Sequence, residues 1–300
     1  MPPPSKLRAG VLNLDKPAGE TSFTMVRRLR AITGAKRVGH AGTLDPLATG
    51  VLPILFESAT RLADFAHQLP KTYLADIRLG FRTNTDDAEG EPEPVGDPSG
   101  LTADSVTAAL TEFVGTIVQR PPAFSAVKID GQRAYKLARA GAESAPAPRE
   151  VVIESARLLD FKLGPEAIAG VEVVCGSGTY LRALARDLGD RLEVGGYLGR
   201  LVRSAYGGLS LADAVGMDEL ADAAAVEAHL LAPEAILPEM ERVRLNVEQE
   251  AMVRQGRTVR VLPEPGAGPL RAHAHDGRLV ALGHADPLRR TFVPDKVFAN

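Results

Sequence analysis

Three hundred residues, 45% hydrophobic and 24% charged, suit one large domain with a small second one. Apolar runs such as 51–56 are too short to span a bilayer and the N-terminus has no apolar leader, so a cytoplasmic protein is expected. A lone Cys175 excludes an intrachain disulfide and a cysteine-based metal cluster. The net charge of −3 hides a segregation. Residues 1–60 carry eight Lys/Arg against four Asp/Glu, 242–300 carry ten against six, and 204–241 carry eight acids and no Lys or Arg. A polyanion responds to local potential, so an anionic partner touching both ends of the chain is allowed.

In chain order, residues 11–19 (VLNLDKPAG) read as a strand running into a turn at Pro17 and Gly19. Ser22 is placed to N-cap a helix ending at Gly34, with Phe23, Val26 and Leu29 on its apolar side and Arg27, Arg28 and Arg30 toward solvent. Residues 39–50 (GHAGTLDPLATG) then hold three glycines and a proline around one carboxylate, Asp45. Such a stretch is a loop, and Pro46 biases Asp45 away from helical geometry. Two readings stand side by side: a turn in which Asp45 caps its own backbone, or a stiff mount that aims the carboxylate outward.

Residues 51–56 read as a buried strand or helix start, and 57–68 as a helix through Ala59, Leu62, Phe65 and Ala66. Residues 71–80 alternate as a strand, with Tyr73, Ala75, Ile77 and Leu79 on one face. An acidic, Gly/Pro-rich stretch at 82–100 predicts a surface loop, and Thr102 opens a helix to about 114. Residues 119–141 carry Phe124 and Tyr135 among Arg133, Lys136 and Arg139, a pattern equally suited to an RNA grip or to a solvated connector. Strands at 151–163 and 170–175 pair around a turn, and GSGTYLR at 176–182 opens a helix with Thr179 as N-cap and Leu181, Leu184 and Leu188 inward. Arg182 falls in that helix's first turn, where a cation opposes the macrodipole; an anionic partner such as Asp45 or plain surface exposure would each account for it. Residues 195–204 form a short segment with Leu201 and Arg203, and 213–240 are acidic, Ala-rich and helical up to Pro233 and Pro238. Beyond Arg242, short apolar runs at 257–262, 270–274 and 278–282 suggest a small β-barrel, with a domain boundary near 240. His273, His275 and His284 lack a thiol or carboxylate set and are read as surface histidines, without a metal.

Taken together, LDKPAGETS at 14–22, the 39–50 loop, KTY at 71–73 and GTYLR at 178–182 resemble the TruB-type tRNA pseudouridine synthases. The resemblance runs from about residue 9 to 210, includes 119–141 as a thumb-like insertion, and continues loosely into a C-terminal segment similar to a PUA domain. It implies an α+β fold: a mixed, largely antiparallel sheet with flanking helices around a catalytic cleft (1–240, thumb about 119–150), then a PUA-like RNA-binding barrel (241–300). It also implies that one uridine in the T-loop of tRNA, position 55, is isomerised without metal or cofactor by a monomer.

Carried over by residue, the resemblance makes Asp45 the catalytic aspartate and Arg182 its partner, with Tyr180 alongside. Tyr73 would stack on the flipped uracil and is a candidate for moving the C5 proton. His40 would fill the space vacated in the T-loop, Leu201 would touch the target base, and Lys16 and Pro17 would support the tyrosine from behind. Near Leu201 the sequence GRLVR departs from the family's paired basic residues. The chemistry suits these types: a stacked base must be flipped out, and an ionised carboxylate divides one difficult step into easier ones. Two other classes remain open at this stage, a base-flipping glycosylase and a non-catalytic tRNA-binding or folding protein.

Overall fold

The computed structural model describes residues 7–124, 128–129, 132–133, 146–237, 240–261, 266 and 268–298. Its larger sheet has nine strands: β1 (Gly10–Lys16), β2 (Val38–His40), β3 (Thr49–Phe56), β4 (Lys71–Leu79), β5 (Gly115–Gln119), β6 (Arg149–Lys162), β7 (Ala167–Cys175), β8 (Gly196–Tyr206) and β9 (Leu209–Ser210). Their order is β1-β3-β8-β4-β7-β6-β5, with β2 paired to β3 and β9 to β8. Every pairing is antiparallel except β3 with β8. The expected alternation of β4 holds, with Tyr73, Ala75, Ile77 and Leu79 all buried. Strands β4 and β8 lie at the centre, so residues on their buried face have rigid neighbours on both sides.

Helices α1 (Ser22–Thr33), α2 (Ala63–Gln68), α3 (Ala103–Thr111) and α4 (Leu181–Arg191) flank this sheet. Met25 and Leu29 of α1 and Leu184 and Leu188 of α4 join Leu12, Leu14, Ile54, Phe56 and Ile77 in one apolar core. The N-cap of α1 is Thr21, one residue earlier than expected, and Ser22 is buried inside the first turn. Phe23 is 71% exposed, because Met25 takes the core position assigned to it. Thr179 does not cap α4; Tyr180 holds that position, and the Gln119 side chain accepts from its N–H (2.8 Å) and donates to its carbonyl (3.1 Å).

The acidic stretch 213–240 is expected to be helical, yet its described residues form two short 3-10 turns (Met217–Glu219 and Pro233–Ile236) and one helix, α5 (Ala223–His229). Sheet-edge pairing competes successfully here: Val215 bonds with Asn13 and Asp15, and Leu231 with Val11, so the stretch covers the open edge of β1. Beyond it, β10 (Glu241–Arg244), β11 (Val259–Arg260), β12 (Pro269–His273), β13 (Leu279–Asp286) and β14 (Thr291–Val297) form a curled five-stranded sheet in the order β10-β12-β13-β14-β11. An unexpected helix, α6 (Val247–Arg254), packs on it behind an Asn246–Gln249 capping box. Leu279, Leu282 and Phe298 bury against Val11, Leu55, Leu62 and Tyr206, which fastens the two sheets together. The side chains of Arg133, Tyr135, Lys136 and Arg139, together with Pro238 and the end of the expected 257–262 strand, lie outside the described residues.

Candidate active site

The 39–50 loop leaves the sheet at His40 and returns to it at Thr49, so both ends are pinned to β3. Its interior is tied down at closely spaced points. Ala41 donates to Pro53 (2.9 Å), Ser22 Oγ donates to the Leu44 carbonyl (3.1 Å) and accepts from its N–H (2.9 Å), and Gly19 donates to Pro46 (2.8 Å). Lys16 is fully buried and donates its ammonium to the carbonyls of Pro17, Glu20 and Pro46 at 2.7, 2.7 and 3.4 Å. Burial lowers its pKa to about 8. These bonds of Lys16, one of them to the Pro17 carbonyl, brace the Asp45 turn from below. The turn itself closes by Ala48 N–H to the Asp45 carbonyl, 3.1 Å.

With the backbone closing its own turn, the Asp45 side chain is free to point outward. Its Oδ2 lies 3.0 Å from Arg182 Nε. The pair is asymmetric: 35% of the Asp45 side chain is accessible but only 6% of Arg182's. A buried guanidinium needs acceptors on every side, and Arg182 finds them in Asp87 (3.3 Å), the Thr85 carbonyl (3.2 Å) and the Phe124 carbonyl (3.0 Å). Asp87 is fixed in turn by Thr85 Oγ1 (2.6 Å) and the Glu89 N–H (3.0 Å). Desolvation raises the Asp45 pKa, Arg182 acts against that rise, and Asp87 adds to it. The pair therefore offers an ionisable carboxylate on a fixed cation, open to a ligand from one side only.

The 82–100 stretch is largely exposed, as expected of a surface loop, but Asp87 departs from that expectation. It is 2% exposed, and its neighbour Asp86 pairs with Arg186 of α4 at 2.9 Å. Asp86 and Asp87 are drawn inward because α4 presents arginines that need partners, while Glu89, Glu91, Glu93 and Asp97 stay exposed. A cation in the first turn of α4 was the available signal, although it pointed to one carboxylate where there are two.

Tyr73 is 8% exposed and sits on β4 directly opposite Arg203 of β8, while Leu201, 6% exposed, is opposite Ala75. Tyr73 and Leu201 thus share the buried face, and Asp45 is near enough to oppose ionisation of the Tyr73 hydroxyl. The sequence pattern assigns Arg203 no role; it is 1% exposed and donates to the Val51 carbonyl (2.7 Å) and the Gly42 carbonyl (3.1 Å). Its guanidinium lies 4.9 Å from the Tyr206 ring centroid. That ring lies so close to Gly42 (φ +76°) that a Cβ there would come within 2.8 Å of it. Tyr180 flanks the site with the Arg149 guanidinium 4.9 Å over its ring. His40 stands at the loop's edge in a groove of about 300 Å³ lined also by Phe23, Arg27 and Arg30. Burial, with Arg203 adding to it, lowers the His40 pKa and keeps the imidazole neutral. A larger cavity of about 1160 Å³, between Arg8, Lys36 and Arg278, contains none of these residues, so chemistry rather than volume locates the site. Among the described residues no group of three or more His, Cys, Asp or Glu could hold a metal ion.

The site is thus an arginine-held aspartate on a loop against a mixed sheet, with a buried tyrosine on a central strand. Solved structures share the fold, among them a Cbf5–Nop10–Gar1 complex with a TM-score of 0.74 and 25% identity, covering 97% of this chain and 85% of that one. The chain belongs to the TruB family: the profile for the TruB family pseudouridylate synthase N-terminal domain matches residues 30–181. Its relatives include a tRNA pseudouridine synthase B from a Synechococcus species, 44% identical over 91% of this chain and 93% of the relative. A second, from Symbiobacterium thermophilum, is 47% identical over 82% of each, and one from Mycobacterium ulcerans is 43% identical over 91% and 90%.

Proposed function

We propose that this chain isomerises a uridine in the T-loop of tRNA to pseudouridine, with Asp45 as nucleophile and Tyr73 as the group that stacks on the uracil and takes its C5 proton. One observation carries the reading: a one-third-exposed carboxylate held 3.0 Å from a buried arginine, on a loop whose backbone is tied down on both sides. The reaction breaks C1′–N1 and forms C1′–C5. N1 gains a proton, C5 loses one, and neither water nor a redox partner is consumed. Extruding a stacked base costs a few kcal/mol, and a stacking partner returns about 1–3 kcal/mol per base. Tyr73 and Leu201 provide the apolar wall for that base. His40, with exposed Phe23 and the Arg27 and Arg30 side chains beside it, supplies the edge that meets the opened loop.

The basic insertion around 119–150 and the sheet domain from 241, read as PUA-like, extend the grip on tRNA, and the protein works as a cytoplasmic monomer. No helix among the described residues is long and apolar enough to cross a membrane. A glycosylase would need a second carboxylate free to activate water. Asp87, the carboxylate nearest in arrangement, is 2% exposed and committed to Arg182, Thr85 and Glu89, which disfavours that reading.

Tritium release from tRNA labelled at uracil C5 tests the proposal. Wild type should release tritium and yield pseudouridine without free uracil. Asp45→Asn should fall by about 10³-fold or more, a loss of roughly 4 kcal/mol of transition-state stabilisation, while still binding tRNA. No release from any tRNA by wild type would refute the isomerase, and free uracil in the products would favour the glycosylase.

A further inference from the structure

Arg203 is a buried charge that the chemistry above leaves unused. It is 1% exposed, on a central strand, and no carboxylate lies within ion-pair distance of it among the described residues. Burying an uncompensated guanidinium is costly, and such groups are normally paired. Here the acceptors are neutral: the Val51 and Gly42 carbonyls at 2.7 and 3.1 Å and the face of Tyr206. Those bonds aim the guanidinium along the buried face, where the directly opposite cross-strand residue is Tyr73. On its other side Arg203 is level with Gly50, the last glycine of the Asp45 loop.

We propose that Arg203 is a positioning residue that acts through Tyr73: its guanidinium is the pre-placed counter-charge of the Tyr73 phenolate, the form in which Tyr73 takes the C5 proton. This rests on the reading of Tyr73 as the C5 base. The proton balance is closed. The phenolate takes H⁺ from C5 and becomes a phenol, the phenol returns that proton to solvent, and N1 takes its proton from solvent. Three groups act on the Tyr73 hydroxyl: Arg203 favours its ionisation through charge and hydrogen bonding, while Asp45 and Cys175 oppose it. Burial opposes it most strongly. Arg203 is therefore the one neighbour that helps form the phenolate. The same charge also acts on Lys16, His40, Lys71, Cys175 and Tyr206 around it. The missing carboxylate then has a rationale: a permanent anion beside Arg203 would neutralise the charge that Tyr73 needs.

A fluorinated tyrosine placed at position 73 of the full chain ionises at lower pH and reports its charge state by ¹⁹F resonance. Its midpoint should rise by at least one pH unit in Arg203→Gln, with Arg203→Lys between that variant and wild type. At neutral pH, Arg203→Gln carrying ordinary tyrosine should lose roughly 10- to 100-fold in tritium release, with tRNA affinity essentially unchanged. The fluorinated residue should restore most of the rate in that variant and little in wild type. A midpoint that stays at the wild-type value in folded Arg203→Gln overturns the proposal, as does a rate loss that fluorination fails to relieve. Should Arg203→Gln not fold, Arg203→Lys decides by the same midpoint. The ¹⁹F titration needs no turnover, so a chain that made no pseudouridine would refute the isomerase reading and leave this measurement readable.

Discussion

Two buried arginines flank the cleft and are solved in opposite ways. Arg182, 5% exposed, stands between two carboxylates and two carbonyls. Arg203, 1% exposed, is satisfied by two carbonyls and an aromatic face. The first is locked into a charge network and opposes the rise that burial imposes on the Asp45 pKa. The second keeps its charge unspent and holds the loop's backbone through Gly42 and Val51. The contrast teaches that one side of this site is built from paired charges and the other from a positioned, unpaired one. Removing either arginine should therefore fail in a different way.

The largest expected effect comes from the paired side. Arg182→Met leaves Asp87 buried without its cation, a loss of about 3–5 kcal/mol in stability. The same change removes the group that opposes the upward pKa shift of Asp45, so the acid limb of the pH–rate profile should move to higher pH. Urea unfolding and tritium release across pH measure the two effects separately. Loss of activity without any movement of the acid limb would break the link between Arg182 and Asp45. Asp87→Asn should follow at roughly 10-fold in turnover, since Arg182 keeps its charge and its two carbonyls but loses a charge-assisted anchor worth about 1.5–3 kcal/mol. Its affinity for tRNA should be unchanged in a filter-binding assay, because Asp87 is out of reach of RNA.

How much of this was legible beforehand differs between the two sides. The Asp45 loop, the β4 alternation and the inward leucines of α4 follow from periodicity and turn chemistry, which are local. Arg182's need for an anion was readable from its place in the first turn, because a cation there contradicts the macrodipole. Asp87 was not, since an acidic stretch rich in glycine and proline looks solvated until α4 is folded against it. Arg203 was hidden differently: Leu201 and Arg203 share a face at strand spacing, so an arginine lay on an apolar stripe, but strand β8 itself read only as a short segment. The helical expectation for 213–240 failed because alanine propensity is weaker than the demand of the β1 edge for hydrogen-bond partners. Ser22 was misplaced by one residue because Ser and Thr are near-equal caps, and the tie was broken by the Asp45 loop, which uses the Ser22 hydroxyl.

Asp45 itself supplies a smaller, sign-specific check on the paired side. Its folded-state pKa is raised, so the folded protein binds this proton more tightly than the unfolded chain. The associated stability is present below the ordinary carboxylate range and is lost as pH rises through the folded midpoint. At neutral pH the ionised carboxylate is thus a net cost that an amide does not carry. Asp45→Asn should be inactive yet more stable than wild type at pH 7, by less than about 1 kcal/mol because a third of the side chain is screened by water. The gain should vanish in urea titrations near pH 3. A variant less stable than wild type at pH 7 would mean that Arg182 outweighs burial.

The smallest effect belongs to Ser22, which serves neither arginine and touches the loop from α1. Its hydroxyl both donates to and accepts from Leu44, one residue before Asp45. Ser22→Ala deletes two bonds at a site 1% exposed and leaves the Leu44 amide groups to find other partners. At about 0.5–1.5 kcal/mol per neutral bond, the loss in stability should be roughly 1–3 kcal/mol. Turnover should fall only a few-fold, because Lys16 and Arg203 still hold the loop at Pro46 and Gly42. If Ser22→Ala instead slowed turnover as much as Arg182→Met, the position of Asp45 would depend on α1 more than on its ion pair. The division of labour between the two arginines would then have to be redrawn around the helix.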